Sequence, residues 1–388
     1  MFNRFNYNLP HFFAHRLTRP VKELYLTVAI MDLATAAVMI FEPIYLYTLK
    51  FSVQQILIFF FITYCLYFIV MPLGAKFANA RGYERSILFS TFFLICYYLS
   101  LFILPQHRWL IFFAPVFLAF QKTFYWPGYH ADFARYSDER EQAREISTLR
   151  VIDSLVYIVG PLVGGLIITF SSYQALFIVV IALIAVSNFP LIISRQPYTP
   201  HSFSYIKAYR RLLKKERRRQ FLAYLGFGEE LVVLVLWPVF IYLIMKTSLA
   251  VGTVVALATL ITTLVTVYVG RVCDKHRKHP VIKLGSALYA LSWTLRVFAG
   301  TGIQIFLLDS LSRISKNMVY VPLTAITYYR ARRYDIMKGV LFLEMSLVIG
   351  KLVAIASIFV VMQAFGVSVG FIFAFLLAGG MSLLYNIL

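Results

Sequence analysis

Charge is scarce in this chain and, where present, lopsided. Asp, Glu, Lys and Arg make up 14% of its 388 residues, against about 25% in soluble globular proteins. Of these, 17 are acidic and 37 basic, for a net charge of +20. A chain this short of charge, 60% hydrophobic and with a mean hydropathy of +0.76, cannot hide its apolar surface in a water-soluble core. Bilayer is its expected solvent. Cysteine is nearly missing: Cys65 and Cys96 fall in apolar runs and Cys273 in a basic loop. That gives neither a disulfide framework nor metal-ligand spacing, and no cofactor or metal is expected. No Asn-x-Ser/Thr acceptor occurs, so nothing points to a glycosylated surface. The basic segment 1–22 lacks a short apolar run with a small-residue cleavage site, so the first apolar run is expected to be kept as a span. The positive charge sits in short segments between apolar runs, which argues against a nucleic-acid partner and for membrane lipids.

What fills the chain is a series of continuous apolar runs. Read at about 20 residues per spanning helix, they give twelve candidates: 23–46, 54–75, 86–104, 109–133, 148–170, 174–193, 221–245, 249–269, 281–298, 303–328, 337–361 and 367–388. The runs are continuous and too long for barrel strands, so helices are expected. Lys and Arg crowd alternate loops, from Arg16, Arg19 and Lys22 through Arg81, Arg85 and Arg140 to Lys278, Lys283 and Arg333. The loops between carry only Lys50, Arg108 and Lys246. By the positive-inside rule both termini are cytoplasmic.

The one long charged run, 205–220, lies near the middle. The expected layout is a cytoplasmic segment 1–22, a six-helix bundle 23–194, a basic linker 195–220 and a second six-helix bundle 221–388. Within the linker, Ile206, Tyr209, Leu212 and Leu213 could form the apolar face of a helix lying on anionic lipid. The second bundle partly repeats the first at an offset of 195. Pro43, Ile44, Tyr45, Leu46 and Tyr47 match Pro238, Val239, Phe240, Ile241 and Tyr242; Tyr125 and Pro127 match Tyr320 and Pro322. Duplication with prolines in paired spans is a mark of secondary transporters.

After the eighth run come Gly270, Asp274, Lys275 and Lys278, spaced as in the loop motif of the major facilitator superfamily, which the chain resembles. Arg277 replaces the usual second Gly. The first-half copy keeps Gly82 but has Asn79 for the acid and Ala75 for the first Gly. The resemblance implies a twelve-helix, all-α membrane fold and makes Asn79, Gly82, Gly270, Asp274, Lys275 and Lys278 a cytoplasmic gate. Gly160, Pro161, Gly164 and Gly165 resemble the core of that family's antiporter motif, with Val156 in place of its upstream Gly. Read physically, they are a helix bend, or a seam of small residues that lets helix backbones approach.

The tenth run places Asp309, Arg313, Lys316 and Tyr320 at i, i+4, i+7 and i+11, one polar stripe. Arg313 and Lys316 fall roughly 15–20 Å from the outer end at about 1.5 Å per residue. A charge that deep costs about 2.5–3.5 kcal/mol or more unless it faces a cavity or a partner. In the fourth run Lys122, Trp126 and Tyr129 share a stripe, with Tyr125 beside it, and Lys122 lies at nearly the depth of Lys316. Two such ammonium groups repel unless a ligand anion or carboxylates offset them. Asp32, Glu229, Glu230 and Glu344 are embedded carboxylates, with Glu42 nearer the outer end. An embedded carboxylate suits proton binding and release.

The competing reading is of structural ion pairs, Asp309 with Arg313 and Glu344 with Lys351, which share a face at i and i+7. His130, Asp132 and Asp153 read as interfacial polar residues rather than a proton relay, and Arg296 as a side chain that snorkels to the outer surface. The expected function is transport of a small organic solute across the cell membrane by alternating access, coupled to protons, in a monomer. Export by antiport comes first, on Gly160–Gly165, and uptake of an anionic solute by symport second, on Lys122, Arg313, Lys316 and Lys351. A polytopic membrane enzyme is the remote alternative. It would need a convergent acid–base or metal set, and His130 and Asp132 point apart. A non-transporting lipid or sensor relative of the same fold is the other.

Overall fold

The computed structural model describes residues 19–136, 142–193, 204–212, 214–273, 278–334 and 336–387, and every regular element among them is helical. The first helices are α1 (Arg19–Val38), α2 (Phe41–Thr48), α3 (Val53–Arg81), α4 (Tyr83–Ile103), α5 (Ala114–Tyr136), α6 (Gln142–Phe170), α7 (Tyr173–Ser187) and α8 (Phe189–Ile193). The basic α9 (Tyr205–Leu212) follows. Next come α10 (Arg218–Leu225), α11 (Glu229–Leu231) and α12 (Trp237–Met245), three parts of one continuous stretch. The chain ends with α13 (Ser248–Cys273), α14 (Lys278–Leu295), α15 (Gly302–Tyr334), α16 (Ile336–Phe365) and α17 (Val367–Leu383). Among the described residues eight helical stretches are long and apolar enough to cross a bilayer. The chain is an all-α, multi-span membrane protein. The long α5 and α15 fall outside that count; they carry Lys122, His130 and Asp132, and Asp309, Arg313 and Lys316.

Helix ends follow local chemistry. Ser52 caps α3 in a reciprocal pair with Gln55, its hydroxyl accepting from Gln55 N at 3.2 Å and Gln55 Oε1 accepting from Ser52 N at 2.8 Å. Thr247 accepts from Ala250 N at 3.3 Å to cap α13. Ser52 and Thr247 are equivalent at the offset of 195. Near them Lys50 and Lys246 take positive φ, 70° and 62°, a similar turn placed one residue out of the repeat's register. Gly82 alone joins α3 to α4, at φ 107°, which a side chain would strain. The loop expected at 76–85 is therefore mostly helix.

The prolines also act in pairs. At Pro43 the helix breaks between α1 and α2, leaving Pro43 in a first turn, where its missing N–H costs nothing. At Pro238 the helix stays continuous but passes through a π turn at Val232–Leu236. The small-residue segment of α6 forms a tight seam. A Cβ on Gly160 would lie 2.7 Å from the Ala36 methyl, and one on Gly164 would run into the Ala37 carbonyl. One on Gly165 would lie 2.9 Å from the Ser248 carbonyl. Gly252 of α13 meets the Pro161 carbonyl in the same way. α6 thus packs closely on α1 and α13, and it is one helix through Pro161.

Candidate functional site

The stretch 218–245 is the least regular in the protein. Short 3-10 and π turns flank Glu229 and Glu230, and such irregularity in a helix often marks a functional site. Gly228 and Gly350 allow the backbones of this stretch and α16 to touch. That contact carries Glu230 to Lys351, the residue after Gly350, with Nζ and Oε2 3.0 Å apart. Lys316 of α15 ion-pairs with Glu229 and lies 3.6 Å from Glu230. Glu229 is fully buried and also accepts from Tyr289 at 2.6 Å and Tyr385 at 3.0 Å. Two carboxylates and two ammonium groups thus form a balanced network, with Glu230 its more accessible acid.

Glu344 does not pair with Lys351, although the two share a helix face. It accepts from Tyr67 of α3 at 2.9 Å and lies 3.3 Å from Nε2 of His130 in α5. Helical spacing puts Glu344 and Lys351 on one side of α16, but the residues opposite that side choose the partners. His130 is correspondingly no interfacial residue: it is buried, stacked on Trp126 with ring centroids 5.4 Å apart, and part of the contact between α5 and α16. Lys122 has its ammonium 5.8 Å from the Tyr64 ring, and Lys351 lies 5.2 Å from the same ring. No carboxylate among the described residues lies within ion-pair distance of Lys122.

Asp309 and Arg313 do pair, Oδ2 accepting from Nε at 2.7 Å. Asp309 Oδ1 accepts from Trp237 Nε1 at 2.9 Å and from Arg296 at 3.3 Å. Arg296 does not snorkel. It is 1% exposed, with its guanidinium carbon 3.9 Å from the Trp237 ring and 3.8 Å from the Trp293 ring. Two indole faces and a carboxylate hold the cation inside better than a reach to the surface would.

The other expected site residues are spread out. Tyr125, Trp126 and Tyr129 form an aromatic group with His130. Tyr320 packs edge-on to Phe227. Asp32 is half-buried in α1, and Glu42 is buried and held by Tyr97 and Tyr98 at 3.0 and 2.9 Å. Of the gate, Asn79 is buried beside Gly82. Asp274 and Lys275 lie outside the described residues; Gly270 and Lys278 are helical, in α13 and α14. Asp153 lies in α6.

Sequence reasoning missed Tyr64, Tyr67, Tyr289, Tyr385, Trp237 and Trp293, the donors and ring faces around these charges. The available signal was the 26 tyrosines, more than an apolar chain needs, each of which wants a partner when buried.

The model of the Major Facilitator Superfamily matches residues 24–245, more than half of the chain. The chain belongs to the major facilitator superfamily. This major facilitator is also similar in fold to the crystal structure of a point variant of the E. coli fucose:proton symporter FucP, with a TM-score of 0.67. The match has 14% identity and covers 95% of this chain and 97% of that one. No curated protein matches the chain. As a major facilitator the protein is a secondary transporter of a small solute and not an enzyme. Among the described residues no three His, Cys, Asp or Glu side chains gather as a metal site.

Proposed function

We propose that this protein is a proton-coupled symporter that takes up a small anionic organic solute. It works by alternating access between two six-helix bundles, 23–194 and 221–388, with both termini cytoplasmic and the chain in the cell membrane as a monomer. The observation that carries the reading is Lys122. Lys316 and Lys351 are matched by Glu229 and Glu230, whereas Lys122 has an aromatic ring and, among the described residues, no acid within ion-pair distance, feeling Glu42 only at longer range. An embedded cation with no carboxylate in direct contact is stabilised by a ligand that brings one.

The case for export rests on Gly160, Pro161, Gly164 and Gly165. The close approach of α6 to α1 and α13 accounts for those residues as packing, which removes the main support for antiport. The solved protein of similar fold is a fucose:proton symporter, and the same direction of coupling is proposed here. Glu344 is the proposed proton carrier. It is buried, with Tyr67 and His130 as its partners and no Lys or Arg within ion-pair distance among the described residues. Asp32 and Glu230 remain in the cavity without an assigned step. The test is Lys122→Met beside Lys122→Arg in proteoliposomes. Loss of anion uptake in the first with partial retention in the second is expected; normal uptake in Lys122→Met would sink the reading.

A further inference from the structure

The charges around Asp309 do not balance. Two guanidiniums share its one carboxylate, and the surplus positive charge is not spread evenly between them. Arg296 is sealed between two indoles, its side chain 1% exposed, while that of Arg313 is 31% exposed. Arg313 spends only Nε on Asp309, and its Nη1 and Nη2 meet no acceptor among the described residues. It lies off the most exposed apolar side of its helix. The outward face of α15 is marked by Ile303, 74% exposed, and Leu307, 58% exposed. At about 100° per residue, Arg313 lies about 80° round the helix from Ile303 and about 120° from Leu307, on the stripe of Asp309, Lys316 and Tyr320.

We infer that Arg313 docks the oxyanion of the solute, a carboxylate, phosphate or sulfonate group held through Nη1 and Nη2. This rests on the reading of the site as one for an anionic solute and assigns its recognition to a second residue besides Lys122. A guanidinium with both terminal nitrogens free presents two parallel donors that match two oxygens of one oxyanion, which an ammonium cannot do. The carboxylate of Asp309 holds Arg313 by the remaining nitrogen and fixes the fork in place. Trp237 and Arg296 hold Asp309 in turn, so the docking group is set by a chain of buried contacts.

The test is chemical protection in nanodiscs. The purified protein is treated with phenylglyoxal, which adds to free guanidinium nitrogens, and Arg313 and Arg296 are followed by mass spectrometry. Benzoate, benzenesulfonate and phenyl phosphate are the probes, and benzamide is the neutral control. Arg313 should be modified and Arg296 should not. At least one oxyanion should slow modification of Arg313 about 10-fold, and benzamide should leave it unchanged. The probe that protects names the oxyanion. Thermal-shift titration of the same probe should show binding weakened about 10- to 100-fold in Arg313→Lys, which keeps the charge and loses the fork. Arg313→Gln leaves Asp309 paired to Arg296 and Trp237 and serves as the folded control. Equal modification of Arg313 with and without every probe would overturn the inference. Binding unchanged in Arg313→Gln but lost in Lys122→Met would overturn it while leaving the uptake reading intact. Binding unchanged in both variants would overturn both.

Discussion

Nε2 of His130 lies 3.3 Å from one carboxylate oxygen of Glu344, and the hydroxyl of Tyr67 donates to the other from 2.9 Å. Three helices, α3, α5 and α16, meet at this one carboxylate, two from before the linker and one from after it. Glu344→Gln keeps the shape and removes the titrating group. It is predicted to abolish accumulation driven by a pH gradient while leaving solute exchange at equal pH within about a factor of three. Gradient-driven accumulation at the wild-type level in Glu344→Gln would move the proton to another carboxylate.

Asp309 should matter for stability as well as for the placing of Arg313. Asp309→Asn leaves Arg296 buried between Trp237 and Trp293 without a counter-charge. Breaking a buried pair from one side costs about 3–5 kcal/mol. A lower melting temperature in detergent and reduced expression are expected. The double variant Asp309→Asn with Arg296→Met should recover part of the loss.

Lys316→Met is expected to fail for a similar reason. Glu229 is fully buried and would keep only the hydroxyls of Tyr289 and Tyr385. A fluorescence-detected size-exclusion profile should show loss of the monodisperse peak, and Glu229→Gln in the same chain should restore it.

Gly164 tests the packing of α6. A Cβ there would strike the carbonyl of Ala37 and sit 2.9 Å from the Phe41 ring. Gly164→Val is predicted to prevent stable folding, because backbone cannot give way as a side-chain tip can. A Cβ on Gly380 would meet nothing within 4 Å, so Gly380→Ala should have no effect. Equal expression of the two variants would mean that the seam does not hold α6 in place.

The basic linker is anchored by two tyrosines. Pro72 has no N–H, so the Phe68 carbonyl one turn earlier in α3 lacks its helical donor. Tyr209 supplies one from 2.9 Å, and the neighbouring Ile69 carbonyl accepts from Tyr205 at 2.6 Å. The double variant Tyr205→Phe, Tyr209→Phe should free α9 and speed proteolysis in the linker several-fold, with little change in solute binding. An unchanged cleavage rate would show that the hydroxyls do not hold the linker.

Much of this arrangement was legible in the chain. Continuous apolar runs pointed to the helices, and the offset of 195 paired Pro43 with Pro238, while the equivalent caps at Ser52 and Thr247 went unread. The i, i+4 spacing marked the Asp309–Arg313 pair because both partners sit on one helix. Pairs between helices were not legible. Nothing local says that Lys351 meets Glu230 rather than Glu344, or that Arg296 lies between Trp237 and Trp293. Such partners are set by which helices are neighbours and by glycine contacts such as Gly228 against Gly350. The end of the linker was hidden for a related reason. The segment Lys215–Gln220 is charged, yet it already belongs to the continuous helical stretch Lys215–Met245, and charge alone does not mark where a helix starts.

The most direct measurement is proton movement in proteoliposomes that contain an internal pH dye. Small organic anions, cations and neutral compounds are added outside one at a time, with the lumen more alkaline than the bath. A proton-coupled anion symporter predicts that an anionic compound acidifies the lumen, and that Lys122→Met and Glu344→Gln each abolish the signal. Acidification driven only by neutral or cationic compounds, or lumenal alkalinisation as the added solute enters in exchange for a proton, would contradict it.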